Sequence, residues 1–456
     1  MKPHVVIIGG GASGIAAAIT AAEQGARVDV LEERERLGHS ILVSGNGRCN
    51  WSNDQVEAGA YKNAAFVDEA FSVCPPRQVW DWFAELGLCT LAESDGRLYP
   101  QTNKASTALD VLRFRMDELS INVLAGTSAA RIEPTKSGYA VHANEGRVIS
   151  CDAVIVAVGG AGASRLLPRD CHFTERHPRL CPLQTAADAV RGLDGIRARA
   201  VLSLVREGKP LCHEQGEVQF RAAVVSGIAA FNLSRFAQKG DTLSLDFLPH
   251  WTEENLVTEL RARSQRFPQR DLESLLAGMV LPQLARAIAR QAGLRSGDRP
   301  DASRLDLIAR GLKAFRLPVM GFEEKKAQVT QGGLDVGEVD ARTMELRRHV
   351  HLHVTGEALD VDGPCGGYNL HWAWTSGTIA GRAAVAAAAD PAAAAAVPTA
   401  TGKRSLSAEP PATAKRGVSA EAPAAAKRGV SVEAPAAAKR GKSAAKRRSS
   451  SKSQSK

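Results

Sequence analysis

The sequence predicts an α/β chain whose first domain, built on a parallel sheet, is split by an insertion and followed by a basic tail. Three observations predict it. Residues 1–32 have a strand–turn–helix–strand texture with Gly9, Gly11 and Gly14 at the turn. From about residue 199 the texture changes to alternating strands and then to helix. Over 331–390 the glycine-rich, strand-then-helix texture returns. The expected divisions are 1–190, 191–330, 331–390 and a tail over 391–456.

His4-Val5-Val6-Ile7-Ile8 is a short continuous apolar run, the pattern of a strand buried on both faces. Gly9-x-Gly11-x-x-Gly14 follows. Gly9 permits the tight turn, Gly11 lets backbone approach a pyrophosphate, and Gly14 lets helix and strand pack closely. Ile15 to Gln24 is alanine-rich and helical by propensity, with Gly25 at the cap position. The helix N-terminus offers free N–H groups and a positive dipole end to phosphates. Arg27-Val28-Asp29-Val30-Leu31 is the second strand, and Glu32 at its end is placed to bond an adenosine ribose. A glycine motif that follows a strand, opens a helix and has its acid at this distance predicts dinucleotide binding. Glu33 beside Glu32 disfavours a bound 2′-phosphate, which wants a cation there.

Residues 62–120 read as mostly helical, with Gln78 to Leu86 ending at Gly87. Residues 139–158 hold short strands that close on Gly159-Gly160. In the insertion, Ala200 to Val205 and Thr242 to Phe247 alternate, Glu217 to Phe220 is hairpin-like, and Thr252 to Ala314 is helical.

Two further segments carry chemistry. Ser44-Gly45-Asn46-Gly47-Arg48-Cys49-Asn50 suits a loop along a cofactor's phosphates and ring, with Arg48 able to neutralise pyrophosphate. Cys49 has no near partner, so dithiol chemistry is rejected. Later, His351 to Val354 forms a strand ending in Gly356-Glu357, and Gly366-Gly367-Tyr368-Asn369-Leu370 starts a helix. The acid could bond ribityl hydroxyls of a flavin. The helix start could face the flavin N1–C2=O edge and favour the negative charge of the reduced ring. Tyr368, His371, His351 and Glu345 are the candidate proton carriers, Tyr368 and His371 foremost. His351 and His353 alternate and so share a face, but no carboxylate or thiol cluster accompanies them, and no metal is expected.

The chain has 456 residues, 44% hydrophobic and 23% charged, which excludes a wholly disordered, collagen-like or disulfide-dense protein. Its net charge of +9 is unevenly spread. Residues 401–456 hold 14 Lys/Arg and 3 Glu, leaving 44 basic and 46 acidic side chains on the rest. Lys403-Arg404, Lys415-Arg416, Lys427-Arg428 and Lys439-Arg440 recur every 12 residues with no apolar face between them. This tail is expected to be disordered and to associate weakly with nucleic acid at most. The 8 cysteines show no CxxC pair, as in a reducing compartment. With no leader-like start and no apolar run of membrane-spanning length, a cytoplasmic protein without membrane contact is expected.

The Leu37-Gly38 to Asn50 stretch and the Gly356-Glu357-x-Leu359-Asp360-x-Asp362-Gly363-x-x-Gly366-Gly367-Tyr368-Asn369-Leu370 stretch resemble the BaiN/YhiN-like family of bacterial FAD-dependent oxidoreductases. Asp95 to Pro100, Ser226-Gly227 and Thr330 to Gly333 match as well, while Arg221-Ala222 and Leu346 depart from the pattern. The resemblance spans about residues 4–385. It implies the glutathione-reductase-type fold: a split Rossmann-like FAD-binding domain with an inserted β-barrel-like domain and a helical subdomain. The cofactor-lining residues it implies are Gly9, Gly11, Ser13, Gly14, Glu32, Gly45, Arg48, Cys49, Asn50, Ala129, Gly159, Gly160, Gly356, Glu357, Gly367, Tyr368, Asn369 and Leu370. No second glycine motif is present, so NAD(P)H, if it is the donor, would visit the flavin in turn with the substrate. The expected activity is reduction of a hydrophobic or conjugated small molecule. A flavin-dependent amine oxidase, an RNA-modifying flavoprotein and a non-enzymatic flavin sensor are the competing readings.

Overall fold

A computed structural model of the chain describes residues 2–388 apart from 161, 296 and 300. The repeat tail expected over 391–456, with its nucleic-acid association, lies outside the described residues.

The opening unit forms as its pattern requires. β1 (His4–Ile8) leads into α1 (Ala12–Glu23) and then β2 (Arg27–Glu32). The other strands of this sheet are β3 (Asn122–Ala125), β4 (Ala153–Val156), the short edge strand β10 (Glu345–Leu346) and β11 (His349–Val354). Their order is β10-β11-β4-β1-β2-β3. All neighbours pair in parallel except β10 with β11. The parallel strands put the loops after β1, β4 and β11 side by side at one end of the sheet, where α/β folds bind ligands.

α1 packs along a second helix of this layer, α3 (Tyr368–Ala388). A Cβ on Gly377 would collide with the Ser13 carbonyl, and one on Gly381 would lie 2.6 Å from the Ala17 carbonyl. The contacts advance together along both helices, so the two run parallel and start at the same end of the sheet.

Between the two halves of this layer the chain builds a second core. Its sheet is antiparallel and seven-stranded, centred on β6 (Arg197–Arg206) and β7 (Lys209–Arg221), with β8 (Thr242–Asp246) on the far side of β6. Alternating burial along β6 and β8 shows one face on the core and one toward solvent. Against this sheet pack α2 (Ile228–Ser234) and further helices between Glu253 and Lys313. Entry and exit are neighbours. β5 (His177–Arg179) and β9 (Val329–Gln331) pair antiparallel in a two-stranded ribbon joining the two cores.

Candidate functional site

The site grows from the loops after β1, β4 and β11. Gly9 has φ +108, and its N–H donates to the Leu31 carbonyl at 2.8 Å, tying the turn to the end of β2. Gly11 is the N-cap of α1, and no side chain caps that helix. A Cβ on Gly11 would meet nothing nearer than Ser40 Oγ at 3.4 Å. The first amides of α1 therefore face an open approach, the arrangement that takes phosphate.

Glu32 is buried, and its Oε2 accepts from Gly10 N–H at 2.8 Å while Oε1 accepts from Arg34 N–H at 2.9 Å. The carboxylate is thus fixed beside the glycine turn. The Glu32 carbonyl accepts from Thr127 N–H, which brings the segment leading to Ala129 next to it.

Gly356 meets the opening turn directly. A Cβ there would lie 2.7 Å from Ser13 Oγ. Its N–H donates to Ser376 Oγ at 3.0 Å, and its carbonyl accepts from Trp372 Nε1 at 3.2 Å. Residues more than 300 positions apart thus form one wall. Gly159 and Gly160 follow β4, between β1 and β11, and Arg176 Nη1 donates to the Gly160 carbonyl. Glu357 accepts from Thr330 N–H, and burial raises its pKa.

The start of α3 is held from several sides. Asn369 Oδ1 accepts from Gly363 N–H at 2.9 Å, and its Nδ2 donates to the Gly363 carbonyl at 3.0 Å, closing the preceding loop. Asn53 Nδ2 donates to the Gly366 carbonyl, and Tyr61 Oη donates to the Tyr368 carbonyl at 2.8 Å. A Cβ on Gly367 would strike the Ser52 carbonyl. Tyr368 and Leu370 are half-buried here, and Tyr368 Oη donates to the Gln55 carbonyl at 3.3 Å.

The loop from Gly45 to Asn50 turns through left-handed backbone at Gly45, Asn46, Gly47 and Cys49. Arg48 is engaged by protein: Nη2 donates to Glu93 and Nε to Asn103, both at 2.5 Å, and the guanidinium lies 3.9 Å over the Tyr99 ring. Asn50 Nδ2 donates to the Ser52 and Leu98 carbonyls, so its amide ties the loop down. Cys49 is buried, and burial pushes its thiol up to about 12.

His371 requires a correction as a proton carrier. It is fully buried, edge-on to Phe71 and Trp80, and its Nδ1 lies 2.8 Å from Ser52 Oγ. Trp80 Nε1 donates to the same hydroxyl at 2.9 Å, so Ser52 Oγ links the imidazole to the indole. Burial pushes the His371 pKa down to about 3. A ring sealed among aromatics and held neutral by burial is a poor proton carrier. His351 departs from simple alternation too. It has φ +62 beside a register shift between Glu345 and Leu346, and its backbone N–H donates to Glu345 Oε1 at 2.5 Å. Sequence reasoning also passed over Asp170, Cys171 and His349, whose ligand atoms lie within 4.8 Å of one another. Arg348 already pairs with Asp170 and Glu338 there.

These residues fit an extended dinucleotide. An uncapped helix start would take phosphates, the buried carboxylate at the end of β2 a ribose, and the start of α3 after Gly366-Gly367 a ring carbonyl. A family model described as the HI0933-like protein Rossmann domain matches residues 3–383. A "3-dehydro-bile acid delta(4,6)-reductase" of Clostridium scindens is 32% identical over 408 residues, 84% of this chain and 98% of the relative. A "Ribosomal RNA dihydrouridine synthase" of Escherichia coli is 29% identical over 401 residues, 81% of this chain and 95% of the relative. Among solved structures, the 3-ketosteroid delta1-dehydrogenase of Sterolibacterium denitrificans is 14% identical, with TM-score 0.43, covering 84% of this chain and all of that one. The family match spans the whole described fold and agrees with the resemblance carried by Ser44–Asn50 and Gly356–Leu370: the chain belongs to the HI0933-like family of FAD-dependent oxidoreductases.

Proposed function

We propose that the protein is an NAD(P)H-linked reductase of carbon–carbon double bonds conjugated to a carbonyl in a hydrophobic small molecule. The likeness to the bile acid reductase over nearly the full length of both chains carries this reading. The FAD site supports it: the α1 start takes the pyrophosphate, Glu32 the adenosine ribose, Glu357 the ribityl chain, and the α3 start the N1–C2=O edge. Bound FAD supplies hydride transfer at N5. The chain's part is to seat the ring, exclude water and place a proton. Tyr368, half-buried at the α3 start, lies at that edge in this reading, and His371 is buried behind it.

The dihydrouridine synthase relatives favour a second reading, reduction of a uracil ring in RNA. The chemistry is shared, because both reactions saturate an alkene polarised by a carbonyl. Charge separates them. Residues 1–400 carry 44 basic and 46 acidic side chains, a poor grip on a phosphate backbone, which favours the small molecule. We place the divisions of the FAD domain at 190 and 331, near the β5–β9 ribbon. No described helix is long and apolar enough to cross a membrane, and eight free thiols suit a cytoplasmic setting.

Anaerobic rapid mixing tests the reading. NADH or NADPH is expected to bleach the flavin band, and a 3-oxo-4-ene steroid to restore it. Inertness to both nicotinamides contradicts the reading. Restoration by a uridine-containing RNA, and not by the steroid, would favour the second one.

A further inference from the structure

The second core meets the loop before α3 along a polar seam. Arg235, just after α2, donates from Nε to Asp362 Oδ2 at 2.7 Å, and from Nη2 to the Asp362 and Ala60 carbonyls. Asn232, on α2, bridges the same surfaces. Its Oδ1 accepts from Cys365 N–H at 2.8 Å, and its Nδ2 donates to Glu214 Oε2 at 3.2 Å. Glu214 comes from β7, in the middle of the inserted sheet.

The seam's acids are held in two ways. Asp362 pairs with Arg235, and Asp360 pairs with Lys62 at 2.7 Å. Glu214 instead has a neutral amide as its partner, and among the described residues no salt bridge reaches it. It is half-buried, and burial raises its pKa against the smaller opposing effects of Asn232 and Arg235. Through Asn232 it is tied to the backbone of Cys365, three residues before the start of α3. Cys365 is a poor proton donor, since burial pushes its thiol up to about 12. A half-buried carboxyl without a salt bridge holds its proton more tightly than an exposed one, as a general acid must.

We propose that Glu214 is the general acid of this site, giving its carboxyl proton to the substrate carbon next to the carbonyl. This rests on the reductase reading above. The alkene π bond breaks. A C–H bond forms at the far carbon with the hydride and its electron pair supplied by the reduced coenzyme. A second C–H bond forms at the near carbon as the Glu214 O–H bond breaks. The carboxylate then takes a proton from water, and NAD(P)H restores the reduced coenzyme.

Glu214→Gln keeps an oxygen to accept from Asn232 Nδ2, so the seam can stay intact. The full chain with FAD bound is reduced anaerobically by NAD(P)H, then mixed with a 3-oxo-4-ene bile acid as probe across a pH series. Wild-type reoxidation is expected to slow as pH rises past the Glu214 ionisation. In Glu214→Gln it should fall roughly 100-fold or more and lose that pH dependence, while NAD(P)H still bleaches the flavin. Glu214→Asp should recover part of the rate. An infrared pH titration should lose one protonated-carboxyl band in Glu214→Gln. Unchanged reoxidation in Glu214→Gln overturns the proposal, as does equal loss of bleaching and reoxidation, which would mark a coenzyme-seating role. A wild-type enzyme that NAD(P)H reduces but the probe never reoxidises overturns the reductase reading and the proposal with it.

Discussion

Glu32 makes the most local claim. Its two oxygens hold Gly10 and Arg34 backbone, and the same carboxylate is the acceptor we propose for the ribose. Hydrogen bonds to a charged group are worth about 1.5–3 kcal/mol, so Glu32→Ala should weaken FAD binding roughly 10- to 100-fold. Fluorescence titration of the apoprotein with FAD measures it. His371 makes a pH claim. Its folded pKa of about 3 lies below its ordinary 6.5, so between these values the unfolded chain binds the proton and the folded one does not. Its contribution is present above 6.5 and is lost as pH falls toward 3. Thermal unfolding of wild type should show this loss, and His371→Gln should flatten it. The acid at the end of the second strand was legible because motif spacing fixes its place. The environment of His371 was not, because Ser52, Phe71 and Trp80 reach it only through tertiary packing. Arg48 shows the same gap: its type suits phosphate, but Glu93 and Asn103 claim it in the fold.

At the level of elements, the pairing of α1 with α3 decides whether the two helix starts share a site. Gly377 sits where any Cβ would press on the Ser13 carbonyl. Gly377→Ala should destabilise the protein by about 1–3 kcal/mol through overpacking, read by denaturant unfolding, and should loosen FAD together with the fold. The strands and first helix were legible from short-range pattern alone: His4–Ile8 is continuous and apolar, and Ile15–Gln24 is alanine-rich. The alternation at Ala200–Val205 and Thr242–Phe247 likewise marked β6 and β8. Alternation failed at His351, where the register shift beside Glu345 puts the residue at φ +62. A bulge depends on the partner strand, which local pattern does not contain.

Across the whole molecule, the inserted core bears on the coenzyme core through Arg235 and Asp362, both buried. Removing one partner leaves a buried charge uncompensated. Arg235→Met should cost about 3–5 kcal/mol, and Arg235→Met with Asp362→Leu should regain much of it, as calorimetry of the two variants would show. The split organisation was readable from the return of glycine-rich texture after residue 331. The seam was not, since positions 214, 232, 235, 362 and 365 carry no motif in common and meet only when two cores dock. The central claim is that turns over three hundred residues apart hold one FAD. Calorimetric titration of FAD into apoprotein, for wild type, Glu32→Ala and Asn369→Ala, tests it most directly. One FAD per chain, weakened at least about tenfold by each substitution, is the expected result. A wild-type chain that takes up no FAD, or binding that ignores Asn369→Ala, would contradict it.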